Sequence, residues 1–141
     1  MNMKKQKKMD ETYLKMAKTW AELSYCTRKK VGALIVKNGM IISDGFNGTP
    51  SKSKPNICEN IHGETHWWVL HGEANAILKC AKHGHSCNDA TLYQTHSPCK
   101  DCSKLILQAG IKRVVYMEDY KDLDGVELLI ESGIIVDKIE I

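Results

Sequence analysis

The sequence predicts one α/β domain spanning residues 1–141 in three layers (α/β/α), with a mixed five-stranded sheet between helices. Three observations carry this. Helical and strand periodicities alternate along the chain after an initial hairpin. Asn38-Gly39, the strongest short hairpin signal, joins the first two strands through a type I′ turn and so makes them antiparallel. No repeat, low-complexity tract or linker breaks the order.

Residues 1–9 carry Lys4, Lys5, Lys7 and Lys8 and are expected to form a flexible basic tail. Residues 10–24 follow a helical period, with Leu14, Ala17 and Ala21 on one stripe. Residues 31–36 and 40–46 are the hairpin strands, and 47–70 is polar and irregular. A helix over 73–83 is expected to bury Ala74, Ile77, Leu78 and Ala81. Residues 90–95 form a strand; Pro98 then opens a helix that ends at Ala109 before Gly110. A strand at 114–117, a helix at 123–132 burying Val126, Leu129 and Ile130, and a last strand at 134–141 complete the order.

The composition is that of an ordinary globular protein. Met1-Asn2-Met3-Lys4 leads into charge rather than an apolar signal segment, and no apolar run approaches a membrane span, so a cytoplasmic location is expected. The net charge of +3 gives no broadly basic surface, which argues against nucleic acid as a partner. Of the six cysteines, Cys80 falls in a helical pattern and reads as a small buried residue, while Cys87 has no assigned role.

The chemistry lies in His71-Gly72-Glu73 and Pro98-Cys99-Lys100-Asp101-Cys102. One imidazole and two thiolates make the three-ligand set of a catalytic zinc site, whose fourth position stays open for water. Zinc lowers the pKa of that water by several units, so hydroxide exists near neutral pH. Glu73 is the spare carboxylate, able to take a proton from water and return it to a substrate. Cys99 and Cys102, at i and i+3 where a helix starts, face one way. The helix N-terminus there favours thiolates. A closed structural zinc site would need a fourth ligand and would leave Glu73 without a role.

These motifs are the signature of the zinc-dependent base deaminases, and the chain resembles the deoxycytidylate (dCMP) deaminases, in particular the compact bacterial and phage type. The resemblance covers His71-Gly72-Glu73-Ala74-Asn75-Ala76-Ile77 and Ser97-Pro98-Cys99-Lys100-Asp101-Cys102. It also covers Ala109-Gly110-Ile111-Lys112-Arg113-Val114-Val115-Tyr116 and Gly45-Phe46-Asn47-Gly48-Thr49-Pro50. It implies a cytidine-deaminase-like fold and hydrolysis of dCMP to dUMP and ammonia, supplying thymidylate synthesis in the cytoplasm, the host's in a phage's case. His71, Cys99 and Cys102 would hold zinc and Glu73 would shuttle protons. Asn47 would bind the deoxyribose. Arg28, Tyr120 and Lys121 are candidates for the phosphate, with Lys30 a further cation.

The resemblance further implies an allosteric site at Gly45, Phe46, Asn47 and Gly48. There dCTP, with magnesium, would activate and dTTP inhibit a homohexamer. Phe46 stands where the family has tyrosine. Cys26, Cys58, His62 and His66 could supply a second, structural zinc. The alternatives are a deaminase acting on tRNA adenosine or another polynucleotide, and a non-catalytic zinc-binding module.

Overall fold

The structure, a computed structural model, describes residues 2–52 and 55–141. The order is α1 (Met3–Ala21), β1 (Gly32–Lys37), β2 (Met40–Phe46), α2 (Gly72–His83), β3 (Thr91–His96), α3 (Lys100–Gln108), β4 (Arg113–Glu118), α4 (Asp124–Glu131) and β5 (Ile135–Lys138). The strands form one five-stranded sheet in the order β2-β1-β3-β4-β5. β1 is antiparallel to both β2 and β3, whereas β3, β4 and β5 run parallel. The expected mixed sheet is therefore present. At the hairpin Asn38 and Gly39 have φ of 52° and 74°, as a type I′ turn requires.

Successive residues of the strands serve opposite layers. Leu34, Val36, Tyr93 and Val115 pack on Leu14 and Ala17 of α1. Ala33, Ile35, Leu92 and Val114 meet Ala76 and Cys80 of α2, Ile106 of α3 and Leu129 of α4. A parallel pair needs a crossover long enough for a helix. Here α3 joins β3 to β4 and α4 joins β4 to β5.

Several elements differ from expectation; the last strand, for one, is Ile135–Lys138 rather than 134–141. α1 begins at Met3, drawing in the basic stretch read as a tail. Asn2 caps it by accepting the Lys5 N–H at 2.8 Å, and Gln6 donates to Asp10 at 2.9 Å. On α2 the expected face is partly right: Ala74 is buried and Ile77 packs on the core, but Leu78, 52 % exposed, and Ala81 lie outside, and Glu73, Ala76 and Cys80 are buried in their stead. In α4 it is Val126 and Leu129 that face inward, and Ile130 lies outside. Val126 and Leu129 are thus buried as expected; the displaced residues, Leu78, Ala81 and Ile130, follow from which face of the helix the sheet covers, which periodicity alone leaves free over two or three turns.

A polar cluster ties α1 to the parallel strands. Asp10 is buried and receives both Arg113 Nη atoms, at 2.9 and 2.8 Å, and the Tyr93 hydroxyl at 2.6 Å. Arg113 Nε also donates to Asp137 at 3.0 Å. Burial pushes the Asp10 carboxyl up, but the hydrogen bonds from Arg113, Tyr93 and Gln6 outweigh it and hold the group below its ordinary 3.8. A depressed carboxylate pKa stabilises the fold above the unfolded value and loses that contribution as pH falls through the folded value. Arg113→Met should therefore cost about 3 kcal/mol at neutral pH, because it strands a buried carboxylate. The penalty should shrink as the pH drops below 3.8, when Asp10 protonates. Denaturant midpoints of both proteins across pH check this.

Candidate active site

The two motif segments meet because α2 and α3 start side by side on the same face of the sheet. His71 is the N-cap residue of α2, with Glu73 in its first turn. β2 approaches this turn closely. A Cβ on Gly45 would lie 2.4 Å from the Gly72 carbonyl oxygen and 2.7 Å from the Ala76 nitrogen, so only glycine fits. Cys99 caps α3, its sulfur accepting the Cys102 N–H at 3.5 Å. The cap lies one residue later than the expected opening at Pro98. Gly125 lets α4 pack on this segment, since a Cβ there would stand 2.7 Å from the Cys99 carbonyl oxygen.

His71 Nδ1 lies 3.4 Å from Cys99 Sγ and 3.3 Å from Cys102 Sγ. These ligand atoms all fall within 4.8 Å of one another, as a single metal ion requires. Their protonation fits the same role. Cys99 is pulled down to about 4, first by the Cys102 thiol donating to it and then, against burial, by His71. Cys102 is pushed up by that donation, by burial and by the Glu73 charge. His71 is raised chiefly by its hydrogen bond to Cys99. Zinc held here would need both sulfurs deprotonated, which couples metal affinity to pH. The donor set of one imidazole and two thiols suits zinc.

Glu73 is 4 % exposed. Burial raises its pKa most, opposed by its own backbone N–H, His71 and the side chain of Gln94. A carboxyl whose pKa is raised toward the working pH is suited to proton transfer.

One cavity of about 360 Å³ opens at this centre. Its wall includes His71, Glu73 and Cys99, together with Arg28, Asn47, Tyr120 and Lys121, so the structure brings those expected residues together. Sequence reasoning missed Lys29, Glu59, His96 and Ser97, which also line it. Lys29 Nζ sits 4.6 Å from the centre of the Tyr120 ring and Lys121 Nζ 6.0 Å from it. Ser97 accepts the Tyr120 N–H at 2.7 Å. Glu59 accepts the backbone N–H groups of Thr27 and Arg28 and so fixes the loop that carries the cations. The neighbour of Arg28 in the sequence was the available signal for Lys29; nothing local marked Glu59. Lys30 faces a different cavity.

Asn47 does more than line the wall. Its Oδ1 accepts the Val31 N–H at 2.8 Å and its Nδ2 donates to the Lys29 carbonyl at 2.7 Å. One amide N–H stays available for a ligand.

The expected allosteric segment is divided. Asn47 belongs to the first cavity, while Gly45, Phe46 and Gly48 border another of about 660 Å³ with Lys52, Lys79, Lys82 and His83. The Gly48 N–H is spent on the Leu70 carbonyl at 3.0 Å, and Gly45 serves helix packing. The Gly48 N–H is therefore not held out to a phosphate.

The expected second zinc site also changes form. Cys26 and Cys58 are joined in a disulfide, and sulfur in that state is not a thiolate ligand. His62 is exposed and His66 stacks on Trp68 with ring centres 4.1 Å apart, so neither histidine joins the pair. The third ligand-type group beside the sulfurs is Glu59. Cys99 and Cys102 are free, as is Cys80, which is buried as expected. Cys87 is buried as well, its thiol pushed up to about 12 by burial and by Cys80. Among the described residues no helix is long and apolar enough to cross a membrane.

The family model of the cytidine and deoxycytidylate deaminase zinc-binding region matches residues 7–118. ComE operon protein 2 of Bacillus subtilis is 38 % identical over 128 residues, covering 84 % of this chain and 64 % of that protein. The deoxycytidylate deaminase of Mycobacterium phage D29 is 37 % identical over 123 residues, 78 % of this chain and 94 % of that one. The crystal structure of dCMP deaminase from the cyanophage S-TIM5, in complex with dCMP and dUMP, superposes with a TM-score of 0.92 at 45 % identity over 99 % of both chains. With the zinc motifs inside the matched region and the ligand atoms converging as described, the chain belongs to the cytidine and deoxycytidylate deaminase family.

Proposed function

We propose that this protein hydrolyses dCMP to dUMP and ammonia. The observation that carries the reading is the single cavity that joins the His71, Cys99 and Cys102 centre and Glu73 to a cationic rim of Arg28, Lys29 and Lys121. A nucleoside monophosphate has matching ends, a base to be deaminated and a dianionic phosphate. Zinc held by the three ligands would supply an activated water. Glu73 takes one proton from the attacking water and gives it to N3 of the cytosine as oxygen adds to C4; it then takes the remaining proton from the C4 hydroxyl and passes it to the amine as the C4 carbonyl forms and the C4–N4 bond breaks, releasing ammonia. The free Asn47 N–H meets the deoxyribose, and the Lys29–Tyr120–Lys121 stack closes on the phosphate. The relative from S-TIM5, crystallised with dCMP and dUMP, supports this substrate.

Regulation belongs to the second cavity. In this reading dCTP with magnesium and dTTP bind where Lys52, Lys79 and Lys82 cluster, and they favour different conformations of a homohexamer. Met40 and Ile41 of the edge strand β2 and Leu78 of α2 are exposed apolar side chains suited to subunit contacts. A second, structural zinc has one supporting feature. When reduced, Cys26 and Cys58 would offer two thiolates beside Glu59.

The test is a substrate panel of dCMP, cytidine, dCTP and a tRNA, with dCMP titrated alone and with each effector. Turnover of dCMP above the others is expected, with dCTP and magnesium making its saturation curve less sigmoidal and dTTP opposing this. Lys82→Glu should blunt the dCTP response while leaving zinc content unchanged. Turnover of tRNA alone, or of nothing, would overturn the catalytic assignment. Hyperbolic curves indifferent to both effectors would remove the regulatory one.

A further inference from the structure

Residues 22–31, between α1 and β1, form neither helix nor strand, so their backbone groups need partners outside the regular ladders. Two side chains from other segments supply several of them. Asn47 holds the second half of the loop through the Lys29 carbonyl and the Val31 N–H. Glu59 holds the first half. Its Oε1 accepts the Thr27 N–H at 3.2 Å and the Thr27 hydroxyl at 2.9 Å. Its Oε2 accepts the Thr27 N–H at 3.1 Å and the Arg28 N–H at 3.3 Å. Burial pushes the Glu59 carboxyl up, but these hydrogen bonds outweigh it and hold the group below its ordinary 4.5, so it is charged at neutral pH.

Glu59 is itself held in place. Cys58, the residue before it, is tied by the disulfide to Cys26, the residue before Thr27. The Cys58 carbonyl accepts the His66 N–H at 2.7 Å, and Glu59 pairs with Thr65 in an antiparallel bridge. Glu59 lines the cavity beside Arg28 and Lys29, where a free carboxylate would repel an anionic ligand. Here both oxygens are instead spent on the loop that carries the cations. Thr27, the main partner, is not part of the cavity wall, so Glu59 does not simply occupy an anion site that a ligand would take over.

We propose that Glu59 is a positioning residue for the nucleotide's phosphate: by holding the backbone of Thr27 and Arg28, it sets the Arg28 and Lys29 side chains at the cavity rim and so makes the site prefer the phosphorylated nucleotide to the bare nucleoside. The inference rests on the reading of this cavity as a dCMP site. Glu59 touches no reacting atom, so its effect falls on binding that substrate and product share rather than on the chemical step.

Glu59→Ala removes every one of these side-chain contacts. The assay uses zinc-loaded protein without added reductant, which leaves the Cys26–Cys58 disulfide in place. KM for dCMP should rise between about ten- and a hundredfold, the worth of hydrogen bonds to a charged group. The turnover number kcat and zinc per chain should stay at the wild-type values. Inhibition by the product dUMP should weaken by the same factor, and inhibition by deoxyuridine, which has no phosphate, should be unchanged. Glu59→Gln keeps one acceptor oxygen and turns an amide nitrogen toward the remaining N–H, so it should fall between wild type and Glu59→Ala. It is judged by the same split should Glu59→Ala not fold. A merely structural role predicts a lower unfolding midpoint with KM unchanged, and that result would overturn the proposal. Equal weakening of dUMP and deoxyuridine would overturn it too, by placing Glu59 on the sugar or base. Tighter binding of dUMP would do the same, by making Glu59 a competitor of the phosphate. Wild-type protein inert toward dCMP would overturn the proposed function itself. Active wild-type protein with a Glu59 variant that distinguishes dUMP from deoxyuridine as wild type does would remove only the positioning role.

Discussion

Glu73→Gln should abolish deamination of dCMP while the protein stays folded and zinc-loaded. The amide has nearly the shape of the carboxyl and fits the same buried space. It cannot take a proton from water or return one. Loss of a general acid–base group costs on the order of a hundredfold or more, and this one acts on both N3 and the departing amine, so the upper end is expected. The absorbance change on converting dCMP to dUMP gives the rate, and metal analysis gives zinc per chain. Burial is the largest influence on Glu73 and disfavours its charged form. The neutral variant should therefore be at least as stable as wild type. Activity within about threefold of wild type would remove Glu73 from the mechanism.

Cys99→Ser and Cys102→Ser should each lose zinc and, with it, stability. A ligand held only by the folded state stabilises it by about 4 kcal/mol at a thousandfold excess over its dissociation constant. That contribution disappears when one thiolate is replaced by a hydroxyl. The two variants should differ in a useful way. Serine is a good N-cap, so Cys99→Ser keeps the start of α3 intact and reports the metal alone. Cys102 is buried, and its replacement also places a hydroxyl in the packed layer. Wild type should hold at least one zinc per chain, and two per chain after reduction would support a metal at Cys26, Cys58 and Glu59. Acidification should release zinc from the wild type. The raised pKa values of His71 and Cys102 both favour protonated ligands as pH falls. A metal-free preparation with full activity would exclude the zinc role.

What the sequence determined by itself is local. The spacing of His71 to Glu73 and of Cys99 to Cys102 sets the side-chain directions at two helix starts, because caps and i, i+3 relations depend on only a few residues. The Asn38-Gly39 turn and the alternation of periods likewise specified the hairpin and the layers. The family resemblance then supplied Asn47, and positions at element ends supplied Arg28, Lys30, Tyr120 and Lys121 for a phosphate; all but Lys30 stand at one cavity.

Only the tertiary structure decided the remainder. The buried face of α2 depends on which side of the helix β2 and the sheet approach, and in so short a helix several stripes are apolar enough. Asn47 reads locally as a strand-end turn, yet its amide spans to Lys29 and Val31. Cys26 and Cys58 are 32 residues apart and meet where Glu59 accepts the N–H groups of Thr27 and Arg28. Asp10 and Arg113 have no sequence relation. Each of these contacts is fixed by the strand order β2-β1-β3-β4-β5 and by burial. Both come from packing the whole chain at once, which no short window of sequence encodes.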